Sequence, residues 1–343
     1  MAMVSSTTCA FADCSRIFLT HPPILAGNAI LLAFFAILIP IALAQGIKYK
    51  SSGFATAVTT GLALEVVGYI GRLLLHGNPN SRNDFIVFLV GTTLGPTCIS
   101  GAMFLVMPRI VAVYGEEYHS WRSAWYLFLF SALVAVSLTL ELVGSLLSTV
   151  QDKPRVVDTG IRVLVVGLAI QLVAHIIFVL HAVFFAFALR TRQHGLDPKF
   201  APVYNGSLFR IFLTVFTIAT TLIVLRTAYR IVEIAEGFQS SIAQAEELFL
   251  VLDGAAMLVA AILLLAYFPA RALGQSWSQT SARKLSQIPP RPVRPASAQL
   301  PTTDPSPTYN RMSMKSVISN KSSRKASHPP APPRHMVDSE ALW

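Results

Sequence analysis

The sequence predicts an all-α membrane protein: a bundle of seven transmembrane helices with a disordered cytosolic tail at its carboxyl end. Three observations lead there. Seven apolar stretches, 24–45, 54–75, 85–109, 124–148, 160–189, 208–229 and 247–268, each approach the roughly 20 residues that a helix needs to cross a ~30 Å hydrocarbon core. Charged residues make up 13% of the chain and hydrophobic ones 53%, whereas a soluble domain carries about 25% charged residues. Beyond Pro269 the composition turns abruptly to Ser, Pro and basic residues. In lipid, backbone groups are satisfied only within helices or closed barrels, and stretches this long exclude barrel strands.

Taken in order, residues 1–23 form an external segment too polar for a secretory signal peptide, so the first span itself serves as the targeting signal. Cys9 and Cys14 lie there, close enough to close a disulfide in an oxidising compartment. The membrane domain covers 24–269. In its second span Glu65, Tyr69 and Arg72 recur at i, i+4 and i+7, which puts them on one helix face. The third span contains Pro96 between Gly95 and Gly101, and a proline there is expected to kink the helix and free a backbone carbonyl. Its Cys98 reads as a small buried residue. The fourth span contributes Glu141, and the fifth Gln171 and His175. His175 and His181 stand about 240° apart around the helix, a poor geometry for a metal. Arg226, Tyr229, Arg230 and Glu233 share a face of the sixth span, and Asp253 lies in the seventh.

The formal charge of +10 resembles a nucleic-acid footprint until it is divided along the chain. From Pro269 onward there are 11 Lys/Arg and 3 Asp/Glu, whereas the rest holds 16 and 14, so the basicity belongs to the tail and no nucleic-acid partner is implied. The tail, 270–343, has too few large apolar residues to offset its ordering entropy and reads as disordered and dispensable for folding. Its Pro-rich pieces and its Ser residues beside Arg or Lys suit cytosolic partners and phosphorylation. Lys and Arg are equally divided between the two sets of loops, and the tail, with Arg271, Arg283 and Lys284 near the last span, breaks the tie. The amino terminus is thus expected outside and the carboxyl terminus in the cytosol, where the sequons at Asn205 and Asn320 escape glycosylation.

An ionisable side chain at the centre of a span costs at least ~2.5 kcal/mol, so it faces the bundle interior with a partner. From the 1.5 Å rise per residue, Glu65 is expected about 15 Å below the outer surface, Glu141 about 10 Å and Asp253 about 9 Å, with Arg226 and Arg230 at the outer interface. The candidate ligand-binding set is therefore Glu65, Tyr69, Arg72, Glu141, Gln171, Arg226, Tyr229, Arg230, Glu233 and Asp253, forming one polar layer in the outer half of the bundle. The same residues also suit a purely structural ion-pair network that fixes helix register. No Gly-rich phosphate loop, Walker-type motif or nucleophile elbow occurs, no span carries a Lys for retinal, and no cluster of His residues suits a membrane hydrolase. The sequence implies neither an enzyme nor a cofactor nor a metal.

Several strings carry a resemblance: ALEVVGYIGRLL (63–74), GPTCISGAMFLVMPRI (95–110), VGLAIQLV (166–173) and above all LRTAYRIVEIAEG (225–237), followed by Glu246, Asp253 and Pro269. In these the chain resembles the fungal RTA-like lipid-translocating exporter family, which includes sphingoid long-chain-base exporters and 7-aminocholesterol resistance proteins. The resemblance implies a seven-helix plasma-membrane protein that exports or flips amphipathic lipids and confers resistance to lipid stress. It also carries over Glu65, Tyr69, Arg72, Pro96, Arg109, Gln171, Arg226, Tyr229, Arg230, Glu233, Glu246 and Asp253 as family positions. The chain departs from the family at Phe88, Phe104, Val134 and Glu141, where polar or different residues are usual. Two functions follow: a transporter whose polar layer binds a headgroup, with membrane lipids or amphipathic small molecules as its partners, and a seven-helix receptor or lipid sensor that transports nothing.

Overall fold

The computed structural model describes residues 19, 21–114, 123–150, 153–191, 200–274 and 276–280, all within one compact unit, Met1–Pro290. Cys9, Cys14, the sequon at Asn320 and the tail beyond residue 280 lie outside the described residues. Seven helices are long and apolar enough to cross a membrane: Leu25–Lys48, Ser52–Gly77, Arg82–Tyr114, Trp125–Ser148, Pro154–Ala188, Ser207–Ala235 and Glu246–Leu273. They are called the first to seventh spans below. The chain is a multi-pass helical membrane protein, and no strand occurs among the described residues.

Local signals set the span boundaries. The third span starts at Ser81, whose hydroxyl accepts from the Asp84 amide at 3.4 Å, and Asp84 sits in the first turn, where an anion is favoured. The fifth begins on Pro154, a residue suited to a helix start because its missing N–H would go unused there. The sixth runs to Ala235, six residues beyond its apolar stretch. Hydropathy fades at Arg226, Arg230 and Glu233, but these groups face inward and are buried, so the helix continues through them.

The third span is the central post. About 72% of its most apolar window is buried, against 28% for the first span and 22% for the fourth, which lie at the lipid face. It runs unbroken through Pro96 and is interrupted only at Leu105–Val106, just before a short helix, Met107–Tyr114. Glycines bring its backbone against the second span: a Cβ on Gly71 would lie 2.5 Å from the Phe88 amide, and one on Gly68 would lie 2.7 Å from that of Thr92. Gly144 and Gly160 do the same between the fourth and fifth spans, where added carbons would meet the backbones of Leu164 and Ser148. Helices in lipid gain nothing from burying apolar surface against each other, so small residues that admit close packing hold such pairs together. The outward faces are apolar, with Ile30, Phe34 and Ile37 on the first span and Phe184 and Phe187 on the fifth.

The seventh span is composite. A short helix, Glu246–Leu248, passes into a π-helical segment, Phe249–Ala255, and then into the α-helix Ala256–Ala266. Such widened turns recur at functional sites, and this one carries the buried Asp253. Packing continues past Pro269 through two short helices, Pro269–Leu273 and Ser276–Gln279. There Leu273 and Trp277 are buried, and the Arg109 guanidinium lies 3.5 Å from the Trp277 ring centre while donating to its carbonyl at 2.9 Å.

Candidate ligand site

The third span serves as a ruler, because the polar clusters described below lie along it at different heights. Nearest the end where the first span begins, Arg72 stacks between Phe249 at 3.8 Å and Phe88 at 4.9 Å and pairs with Glu246 at 3.5 Å. Glu246 also accepts from the Ile24 amide at 2.7 Å and from Asn28 Nδ2 at 2.9 Å, so one carboxylate ties the starts of the first and seventh spans to the second. Arg72 and Glu246, with Pro23, Ile24, Gln244 and Glu247, line a cavity of about 370 Å³ above this point.

One turn deeper, at Thr92, lies the densest charge cluster. Arg226 pairs with Asp253 at 2.7 Å, and Arg230 reaches the same carboxylate oxygen at 3.7 Å and Glu233 at 2.9 Å. All four side chains are nearly inaccessible. Arg226 Nη2 donates to the Thr92 carbonyl, and Arg230 Nη2 donates to the hydroxyls of Thr92 and Thr93 at 3.0 and 3.3 Å. That carbonyl is available because residue 96, its normal helical partner, is a proline without an N–H. The freed acceptor expected from the sequence exists, and an arginine from another helix takes it.

Glu65 lies at the height of Gly95, with its Oε1 3.2 Å from where a Cβ on that glycine would stand. It is 1% exposed, and neither carboxylate oxygen has a hydrogen-bond partner among the described residues. One helical turn above it the buried Tyr69 hydroxyl is likewise unpartnered, against Gly254 of the seventh span. Arg226, Arg230 and Asp253 are near enough to act on Glu65 through space, but none bonds to it.

Lower still, a second cluster joins the third, fourth and fifth spans. Thr97 Oγ1 and Ser137 Oγ each stand 2.7 Å from Glu141, and Ser137 is also 2.8 Å from the Gly167 carbonyl. Gln171 Nε2 donates to Ser100 at 3.3 Å, and His175 Nδ1 faces the Gln171 carbonyl at 2.9 Å with its ring against Phe104. Thr97 Oγ1 also lies 3.3 Å from the Thr93 carbonyl and so joins this cluster to the one at Thr92, but no described hydrogen bond joins either to Glu65.

The polar residues thus form not one layer but a ladder, from Phe88 to Ser100, that is about 18 Å tall at the helical rise. Arg226 and Arg230 were expected at the outer interface. They lie about 13 and 8 Å inside the end of the sixth span, because that helix continues to Ala235. Glu65 and Asp253 are both buried, but only Asp253 pairs with the arginines. Tyr229 is half-buried, and its hydroxyl meets no partner among the described residues. Sequence reasoning missed Asn28, Thr92, Phe249 and Ser137, and it marked Phe88 only as a departure from the family pattern. For Phe249 and Thr92 it had no signal, since an aromatic or threonine in an apolar span reads as filling.

Residues 58–276 match the RTA1 like protein family. The chain belongs to the RTA1-like family. It is 26% identical to the sphingoid long-chain base transporter RSB1 of Saccharomyces cerevisiae over 325 residues, covering 86% of this chain and 82% of that one. Protoporphyrin uptake protein 1 of the same species is 27% identical over 207 residues, 59% of this chain and 64% of its own. Protein RTM1 is 25% identical over the same length, 59% and 63%. No solved structure matches. The family match accounts for the motif strings, spans all but the first helix and agrees with a transporter-like role in the membrane.

Proposed function

We propose that the protein translocates amphipathic lipids or lipid-like toxic compounds, and that the ladder beside the third span binds their headgroup, with a preference for a cationic amine. One observation carries this: Glu65 is a carboxyl buried in the bundle with no hydrogen bond or ion pair among the described residues. A buried charge without a partner is costly, and an ammonium group supplies the missing cation. The three arginines are already paired with Asp253, Glu233 and Glu246, which argues against them as receptors for a phosphate. The relationship to a transporter named for sphingoid long-chain bases supports the same class, since such a base is an amine on a long alkyl chain. The tail's charge supports an outside amino terminus and a cytosolic tail.

Reconstitution into liposomes with labelled long-chain bases, their uncharged N-acyl derivatives, phospholipids and sterols tests the proposal. Transfer between leaflets faster than in protein-free liposomes is expected for the amines, falls to the protein-free rate with Glu65→Gln and stays at that rate for the N-acyl compounds. Binding of the amine without any leaflet transfer would favour a receptor or sensor instead.

A further inference from the structure

Charge counting inside the bundle isolates Glu65 a second time. Among the described residues, the buried cations are Arg72, Arg226 and Arg230, and the carboxylates are Glu65, Glu141, Glu233 and Asp253, with Glu246 at the rim. Glu246, Asp253 and Glu233 face the three arginines and match them one for one. Two acids remain, and they differ. Both oxygens of Glu141 meet hydroxyls. Ser137 Oγ stands 2.7 Å from one oxygen and Thr97 Oγ1 2.7 Å from the other, so this carboxyl is satisfied by hydroxyls within its own network. Glu65 has neither a hydroxyl nor a guanidinium to settle it.

We propose that Glu65 is a proton-binding site that exchanges one proton for each cationic headgroup, so that transfer is proton-coupled. This rests on the transport reading above. In the empty protein the carboxyl keeps its O–H bond. When an ammonium arrives, that bond breaks, the proton leaves for water, and the carboxylate pairs with the cation. When the ammonium departs toward the other side, a proton from water restores the acid, so one positive charge replaces another throughout. No nucleotide or redox partner is required. Tyr69, with a free hydroxyl one turn above and the cavity at Arg72 beyond it, is the group placed to pass the proton outward. The surroundings are complete for such a role. The sixth span offers Arg226 and Arg230 and the seventh offers Asp253. The third presents Gly95, and the first presents Phe35 against Tyr69.

An ordinary amine crosses bilayers in its neutral form and moves protons unaided, so the probe is its permanently charged trimethylammonium analogue. In proteoliposomes carrying a trapped pH dye, inward transfer of this probe is expected to alkalinise the lumen by one proton per cation. Glu65→Gln is expected to abolish both signals, and Glu65→Asp to keep the proton signal at a reduced rate. Transfer by the wild type with no proton movement overturns the coupling and leaves the transport reading intact. An infrared measurement in nanodiscs separates the two further. Addition of the probe is expected to remove the carbonyl stretch of one protonated carboxyl that is absent from Glu65→Gln. If that band disappears without any transfer, proton exchange stands and transport fails. If the band never changes, proton exchange fails.

Discussion

Arg226→Gln lowers the stability of the purified protein by about 3–5 kcal/mol, because it strands the buried Asp253 carboxylate and leaves the Thr92 carbonyl without a donor. Thermal or denaturant unfolding in nanodiscs measures it. Arg230 lies 3.7 Å from the same carboxylate and cannot replace Arg226 fully, since it also holds Glu233 at 2.9 Å. The double variant Arg226→Gln with Asp253→Asn recovers most of the loss, because two neutral amides in contact carry no unbalanced charge. A loss below about 1 kcal/mol in the single variant would place the pair in a wet, screened setting and contradict its burial. Full additivity of the two changes would do the same.

Glu65→Met runs the other way and raises stability while abolishing amine transfer. The side chain occupies a wholly buried site with no bond to either oxygen, so the native residue brings a desolvation penalty that methionine removes at similar volume. The gain is expected at about 1–3 kcal/mol, the usual cost of an unsatisfied buried polar group. A residue that weakens the fold and is needed for transfer marks a functional site. Equal destabilisation by Glu65→Met and Glu65→Gln would instead show that the carboxyl is structural, which is the ion-pair-network reading of these charges.

The two predictions rest on residues with different visibility in the sequence. The spans were legible because a lipid solvent demands long apolar runs, and the seven stretches correspond to the seven helices. Their ends were less so. Hydropathy stops where charge begins, which truncated the sixth span and misplaced Arg226 and Arg230 by more than two helical turns for the first of them. Helical spacing brought Glu65, Tyr69 and Arg72 to one face correctly, but it could not say that Arg72 is shielded by Phe88 and Phe249, or that Glu65 lacks a hydrogen-bond partner among the described residues. Pairing across helices depends on relative rotation and height, which a one-dimensional pattern does not contain. Glu246 shows the limit best. It lies before the apolar run of the seventh span, where a carboxylate reads as solvated, yet it clasps the amide of Ile24 more than two hundred positions away.

Pro96 reverses an ordinary rule about helices. Replacing an interior proline with alanine normally gains about 3 kcal/mol of helix propensity. Here the alanine would introduce an amide that claims the Thr92 carbonyl and evicts the Arg226 guanidinium from it, so a better helix makes a poorer bundle. This second partner of Arg226, beside the Asp253 carboxylate, is a main-chain atom, and no change of the Thr92 side chain can delete it. An alanine scan of the third span would therefore pass over this acceptor at residue 92 and expose it at residue 96, where alanine adds a hydrogen-bond donor rather than only removing a side chain.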